Sequence, residues 1–420
     1  MRKFILFIYL IGISLSWAKE PIKLTLEEAI TIALRDNREI LIKEEDLKKA
    51  KEKLREARAG IFPKISLGSS ISETLDYYDK NTTNFSNQLS LKQSLYTGGK
   101  TLGNIKETKY RIEMNQASLN KTILETVYTV KKAFFTLLLA GEYAKLNELI
   151  LANTKNHFKV VSERYNNGQA SESELIKLQQ AMASVEHIFL TSLNQIEGAK
   201  MNLRNLLNLE KSIDIEPEGK FIYEPKEIAF DEVYIKALKE RPELSFYEAQ
   251  EKIDKLQKET ARAEILPSVY ASWDYYINRS NAPQAISKDW ESHQTIGIVL
   301  TWPIFDGFAT QAKISQAEID LKETQLLKEK TIMDIASELK DAYLELNNAL
   351  TKLKAKDTEI KFYEDNLRII NDKYKMGIAS SLDLEDAKLG FEISNFNLKE
   401  AIYDYLLAKA RMERAIGEIK

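Results

Sequence analysis

A few residues of this 420-residue chain have types and spacings that could support chemistry. Gly99-Lys100-Thr101 resembles the end of a phosphate-binding loop, in which backbone N–H groups and a lysine hold the phosphates of a nucleotide. That loop also requires a glycine at the position that Ser94 occupies here. The segment that follows is predicted to be a coiled-coil helix, so the sequence does not predict a nucleotide site.

The other candidates for metal ligands or general bases are three histidines, His157, His187 and His293. They share no ligand spacing with one another or with a pair of carboxylates, as a zinc site would need, and we expect them at the surface. The chain has no cysteine, which excludes disulfides, thiolate metal sites and a cysteine-linked lipid anchor. Because no nucleophile, base and orienting residue can be grouped, we predict no enzyme, no cofactor and no metal.

The first 18 residues predict export. Arg2 and Lys3 precede an apolar stretch over 4–15, and Ser16-Trp17-Ala18 offers a small-x-small cleavage site. A signal anchor is the alternative to this signal peptide (1–18), but the apolar stretch is too short to span a bilayer comfortably. No later run of about 18 apolar residues occurs, so any membrane insertion must use strands. The formal net charge of −3 does not indicate a nucleic-acid partner.

Long helices are predicted by apolar or small residues that recur at alternating spacings of three and four. Such spacing averages 3.5 residues per turn and keeps one seam facing a partner helix in a left-handed supercoil. The seam contains Ile332, Ile335, Leu339, Ala342, Leu346, Ala349, Leu353, Ile360, Tyr363, Leu367, Ile370 and Tyr374, interrupted by Lys356. Segments 172–207 and 381–416 carry the same spacing, which predicts antiparallel coiled-coil hairpins.

These elements occur twice along the chain. Ile61-Phe62-Pro63 aligns with Ile265-Leu266-Pro267 at an offset of 204, and Gly98 aligns with Gly307 at 209. We therefore predict a first structural repeat over 19–209, a linker over 210–227 and a second repeat over 228–420. Each repeat contains a helix (26–60, 230–264), a strand pair (63–97, 267–305), a long helix (99–163, 308–373), a tip (165–172, 374–383) and a returning helix (172–207, 381–416). Thr25 and Asp231 are the expected N-caps of the first helices.

The predicted strands alternate with period two. Ile65, Leu67 and Ile71 share one face, and small or polar residues such as Ser66 and Ser70 share the other. Strands of about ten residues with this pattern are typical of outer-membrane barrels. A β-sandwich is the alternative, but the four long strands have nothing to cover two sheets. Four strands cannot enclose a water-filled barrel, so several chains must contribute if they span a membrane.

The duplicated landmarks together resemble those of the outer-membrane efflux protein family, the TolC-like export channels. The resemblance covers roughly residues 22 to 418. It rests on helix–strand corners, strand–helix turns and hairpin tips that recur in order. These landmarks are Pro63, Pro267, Gly98, Gly307, Tyr165, Gly168, Tyr374, Gly377, Ser380, Asp383 and Asp386.

The resemblance implies a mainly α fold with a transmembrane β part. Duplicated coiled-coil hairpins would form a periplasmic α-barrel, and four strands per chain would enter a 12-stranded barrel of a homotrimer in the outer-membrane lipid. The implied function is passive exit for a tripartite efflux or type I secretion system. The implied partners are a periplasmic adaptor and an inner-membrane pump or ABC transporter, with the adaptor contacting the tips around Tyr165, Gly168, Gly377 and Ser380.

The resemblance also implies a periplasmic gate at the tips. The positions that match its acidic residues are Asp383 and Asp386, with Glu174 in the first repeat, and Tyr374 matches a tyrosine of the closed entrance. The family's arginine partner is replaced by Ala379 here, which leaves the closed-state bridge open to question. The alternatives are a helix-N-terminal role for the two aspartates and turn packing for Tyr165 and Tyr374.

A different class of function is a secreted coiled-coil spacer or filament without a pore. It shares the long helices but does not explain strands that are apolar on one face with aromatic residues near their ends. The strands are therefore the feature that separates the two interpretations.

Overall fold

The computed structural model describes residues 22–77, 80–219, 221–224, 229–281 and 289–418, so the predicted signal peptide lies outside the described residues. The elements in chain order are β1 (Ile22–Leu24), α1 (Leu26–Asp36), α2 (Arg38–Ala59), β2 (Lys64–Tyr77), β3 (Lys80–Tyr96), α3 (Lys100–Asn166), α4 (Glu172–Leu206), β4 (Ile215–Pro217), α5 (Phe230–Glu240), α6 (Pro242–Arg262), a 3-10 turn (Ala263–Ile265), β5 (Ser268–Ser280), β6 (Glu291–Thr301), α7 (Ala309–Lys375) and α8 (Ser381–Ile416). Among the described residues, the helices include none with an apolar stretch sufficient to span a bilayer.

The chain divides into two compact units. The first contains Met1–Asn37, Thr126–Lys226 and Glu345–Ala410, and the second contains Arg38–Glu125, Glu227–Leu344 and Arg411–Lys420. Each unit takes segments from both halves of the sequence because the unit boundaries fall within α3, α7 and α8. The compact units therefore do not follow the sequence repeats.

The core of the first unit packs the amino-terminal elements against α3 and α4. The largest side chain in this cluster of buried residues is Phe134 of α3, and α4 contributes Leu203. Strand β1 pairs in parallel with β4, Ile22 opposite Ile215. Helix α1 begins with a capping box, in which the Thr25 hydroxyl accepts from the Glu28 N–H and the Glu28 carboxylate accepts from the Thr25 N–H. The expected N-cap at Thr25 is thus confirmed.

The continuous helices expected over 26–60 and 230–264 are both interrupted. Asn37 is extended (φ −65°, ψ 127°), and its side-chain amide donates to the Leu206 carbonyl at 2.9 Å, which satisfies the end of α4. In the second case Pro242 begins α6 and holds Arg241 out of the helical region. The prediction that Asp231 caps α5 is wrong, because the N-cap of α5 is Ala229.

The second unit contains one antiparallel sheet in the order β2-β3-β5-β6. Its apolar face is open, with Leu67 75% and Ile296 78% exposed. The opposite face is a polar network, in which Gln88 and Ser90 donate to the Asp274 carboxylate at 2.9 and 2.6 Å. Among the described residues, β2 and β6 each pair along one edge only. The sheet therefore has an uncovered apolar face and two unpaired edges.

The coiled-coil seam is buried over part of its length. In the first unit, Leu346 and Leu353 of α7 are buried, as are Ala401 and Tyr405 of α8. Farther along α7 the seam residue Tyr363 is 40% exposed. Burial of the α7 seam therefore decreases toward the tip, whereas Leu384 and Ala387 of α8 stay buried close to it.

Truncating a core residue of α4 is expected to destabilise the first unit. Leu203 is 1% exposed, so Leu203→Ala should cost about 2–5 kcal/mol by lost burial and a residual cavity. Urea unfolding followed by circular dichroism in detergent measures this loss. Gln195→Ala, at an exposed position of the same helix, is the control and should leave the midpoint unchanged. Equal midpoints for both variants would contradict the packing.

Candidate gating site at the hairpin tips

The two hairpin tips have the same backbone construction. Gly168 (φ 71°) and Gly377 (φ 72°) adopt the left-handed conformation that ends a helix at low cost only with glycine. Each glycine N–H donates at 2.9 Å to the carbonyl of a tyrosine, Tyr165 in the first tip and Tyr374 in the second. The sequence motif Tyr-x-x-Gly is therefore a helix C-cap in both tips.

The predicted gate residue Asp383 caps α8. Its carboxylate accepts from the N–H and the hydroxyl of Ser380 at 2.8 and 2.7 Å, and the Ser380 hydroxyl accepts in return from the Asp383 N–H. The hydrogen bonds from the Ser380 N–H and then its hydroxyl lower the pKa of the Asp383 carboxyl below its ordinary value. In the first tip, the Ser171 hydroxyl caps α4 by accepting from the Glu174 N–H.

Asp386 instead contacts another hairpin. Its Oδ1 lies 3.2 Å from His157 Nε2, so α8 of the second hairpin meets α3 of the first. The Asp386 side chain is 60% exposed, but that of His157 is only 26% exposed. The expectation that His157 is an ordinary surface residue is therefore wrong, whereas His187 and His293 are exposed. No spacing pattern signals this contact, because its residues are 229 positions apart in the chain.

The interface beside this contact is polar and incompletely filled. A hollow of about 180 Å³ is lined by Leu149, Asn153 and Asn156 of α3 and by Glu385, Lys388, Leu389 and Glu392 of α8. In the described part of the chain, Glu385 Oε2 is buried without a hydrogen-bond partner.

The remaining gate candidates are exposed and not joined to these acids. Tyr165 and Tyr374 are 39% and 43% exposed, and Glu174 is exposed on the first turn of α4. The described residues show no ion pair between Glu174 and any partner. Ala379 contributes only its backbone N–H, which donates to the Lys373 carbonyl at 3.3 Å. The structure thus joins Asp383 to Ser380 and Asp386 to His157, and leaves Glu174 and Tyr374 apart.

The corner residues fix the junction between helices and strands in the second unit. Gly98 is left-handed (φ 65°), and a Cβ there would lie 2.9 Å from the Ala263 carbonyl oxygen. Gly307 has the same φ of 65°, and Phe308 after it also has a positive φ of 67°. Pro63 and Pro267 immediately precede β2 and β5. Gly98 is therefore required both by its backbone angle and by close packing.

Comparison with protein families identifies two matching segments, residues 29–209 and 233–418, both with the outer membrane efflux protein family. The chain belongs to this family. The alkaline protease secretion protein AprF of Pseudomonas aeruginosa is 21% identical over 356 residues, which cover 81% of this chain and 71% of AprF. The outer membrane protein TolC of Escherichia coli is 20% identical over 404 residues, covering 88% and 77%.

Solved structures show the same fold. The CmeC outer membrane channel of Campylobacter jejuni superimposes with a TM-score of 0.77 at 16% identity, covering 93% of this chain and 85% of CmeC. The open state of the MtrE outer membrane channel of Neisseria gonorrhoeae gives a TM-score of 0.76 at 16% identity, covering 94% and 89%.

Family membership confirms several sequence-based predictions. The protein is an outer-membrane protein of the TolC-like type, with a mainly α fold and a smaller strand component. It is an efflux or secretion channel and not an enzyme.

The two tips should differ in their response to acid. Because the folded-state pKa of Asp383 is lowered, its capping contribution is complete above the ordinary value near about 4 and is lost as the pH falls through the lowered value. We expect hydrogen-exchange protection factors in the first turn of α8 to be constant from about pH 7 to 5 and to fall below about pH 4. Ser380→Ala should reduce this protection already at neutral pH. The first turn of α4, which a serine hydroxyl caps, is the internal control, and an equal acid response in both turns would contradict the assignment.

Proposed function

We propose that three copies of this chain form one exit channel across the outer membrane, with its gate at the hairpin tips. The observation that carries this proposal is the sheet of the second unit. Residues of its apolar face, including Ile65, Leu67 and Ile298, are 69–75% exposed, which suits contact with lipid and not with water. The polar face, held by hydrogen bonds between side chains, suits a water-filled interior.

Closure of the sheet supports the copy number. In hydrocarbon, unpaired backbone groups at a strand edge cost several kcal/mol each, so spanning sheets close into barrels. One chain supplies four long strands with free outer edges on β2 and β6. Three chains would supply the 12 strands that the family resemblance implies, with β6 of one copy paired to β2 of the next.

The same proposal assigns a role to each segment of the chain. Residues 1–18 are a signal peptide, 19–209 and 228–420 are the two structural repeats, and 210–227 join them. Each repeat contributes a strand pair to the barrel and a helical hairpin to a periplasmic tunnel. The tips near 165–172 and 374–383 then lie at the periplasmic end, where a periplasmic adaptor would bind and connect the channel to an inner-membrane pump or ABC transporter. AprF, by its name, serves protease secretion, so both drug-type efflux and type I secretion fit this arrangement.

The gate is proposed to be acidic. Threefold symmetry would turn Asp383, Asp386 and Glu174 into rings of negative charge, which attract cations and repel one another. The contact between Asp386 and His157 joins neighbouring hairpins, so it could hold the closed state in place of the arginine that Ala379 replaces. Tyr374, at the C-cap of α7, would position the second tip.

The spacer interpretation is less consistent with the molecule. A filament that functions in water has no use for a sheet whose apolar face and edges are uncovered. It also gives no reason for membership of a channel family.

Single-channel recording in planar bilayers tests the proposed channel and its acids together. The wild type should give discrete, cation-preferring steps, and Asp386→Asn should weaken the cation preference because one ring of charge is lost. Glu172→Gln, which removes a tip charge outside the proposed rings, is the matched control. Absence of any steps would contradict the channel, and steps unaltered in Asp386→Asn would place the gate elsewhere.

The interhairpin contact makes a separate prediction. His157→Ala removes the side chain that Asp386 contacts, so the fraction of time spent open should rise. His187→Ala, at an exposed position, should behave like the wild type. An unchanged open fraction in His157→Ala would show that this contact does not hold the gate.

A further inference from the structure

A large basic hollow lies at the junction between helices and strands of the first repeat. It measures about 1000 Å³ and lies within the second unit, between α2, α3, α6 and the first residue of β2. Four basic side chains line it, Lys53, Lys64, Lys100 and Arg111, against the two acids Glu56 and Glu107. The hollow therefore carries an excess of positive charge.

Three of these cations lack an ionic partner. Arg111 is neutralised by Glu107, with Nη2 2.6 Å from Oε1. Across the described residues, Lys53, Lys64 and Lys100 take part in no ion pair. Lys64 also lies directly opposite Lys92 in the β2–β3 register, and like charges in such a pair repel. Repulsion among clustered unpaired lysines lowers the stability of the fold. Folding alone therefore does not account for this arrangement.

The second repeat shows that the fold does not require this charge. The positions equivalent to Lys53, Lys64 and Lys100 are Gln257, Ser268 and Ala309. The opposed pair Lys64 and Lys92 has as its counterpart the neutral pair Ser268 and Thr301, which are also register partners.

The N-terminal cap of the long helix also differs in charge between the two repeats. Thr97 caps the start of α3 through its hydroxyl, which accepts from the Thr101 N–H at 3.3 Å. At the equivalent place in the second repeat, the Asp306 carboxylate accepts from the Thr310 N–H at 2.8 Å. The same corner is thus built once with unpaired positive charge and once without it, because Lys313 of the second corner pairs with Glu264.

The alternation of side chains along β2 shows which face of the sheet the hollow opens on. Lys64 alternates with the exposed apolar residue Ile65 and shares its face with Ser66, on the polar side of the sheet. Lys92 lies on that face too and rests over the ring of Tyr270 at 3.7 Å. An occupant beside Lys64 is therefore a solute in water and not a lipid on the apolar face.

We propose that this hollow binds carboxylate, phosphate or sulfate groups of solutes that pass through the channel. The inference rests on the proposed function, because that function places the polar strand face in the channel interior. Three copies would give a basic collar at the junction between helices and strands. Anionic cargo would be attracted there.

The duplication supplies the variant that tests this proposal. Lys53→Gln/Lys64→Ser/Lys100→Ala gives the first corner the residues of the second, and Lys49→Gln/Lys106→Gln/Lys109→Gln removes equal charge at exposed positions outside the hollow. Binding of radiolabelled pyrophosphate to the detergent-purified full chain is measured by equilibrium dialysis at about 50 mM salt, where screening is moderate. We expect the hollow variant to bind about tenfold more weakly and the control variant to bind like the wild type.

A reciprocal variant guards against a folding defect. Ser268→Lys/Ala309→Lys should strengthen pyrophosphate binding. Equal binding by the wild type, by Lys53→Gln/Lys64→Ser/Lys100→Ala and by Ser268→Lys/Ala309→Lys would overturn the proposal. In planar bilayers the permeability to chloride relative to potassium should fall in the Lys53→Gln/Lys64→Ser/Lys100→Ala variant. Binding that depends on the lysines without any change in this ratio would overturn the placement in the channel. Absence of channels altogether would count against the proposed function, while dialysis would still decide whether the hollow binds anions.

Discussion

The unpaired edge of a β-sheet is the constraint on which the rest of this structure depends. Strands β2 and β6 each leave a row of backbone N–H and C=O groups without partners among the described residues, and lipid offers no replacement for those hydrogen bonds. A sheet that is apolar on one face and polar on the other must therefore close with further strands before it can span a membrane. The helices that continue from these strands then belong to the same assembly of chains.

The two repeats share one backbone conformation at their tips and corners, but their charged residues differ. The tips share glycine C-caps at Gly168 and Gly377, yet a serine alone caps α4, whereas a serine–aspartate pair caps α8. The helix–strand corners diverge further, from Lys64 opposite Lys92 to Ser268 opposite Thr301. The shared backbone conformation therefore does not require the positive charge of the first corner.

Local and periodic features were predictable from sequence. The long helices follow from the 3-4 spacing, and their observed ends, such as Asn166 and Lys375, lie within three residues of those expected because glycine turns mark them. The break at Pro242 had a clear signal in the proline, whereas the break at Asn37 depends on a hydrogen bond to Leu206, distant in the chain. The contact of His157 with Asp386 and the cluster of lysines around the hollow arise from tertiary packing, which no periodicity encodes.

The most direct test of the account is the number of chains in the membrane-extracted assembly. Native mass spectrometry of the full-length protein, released from detergent micelles at low activation energy, counts them without assuming any activity. A single species of three chains is expected, because four strands per chain cannot close around water. A stable single chain in the mass spectrum, with its sheet edges still unpaired, would contradict it.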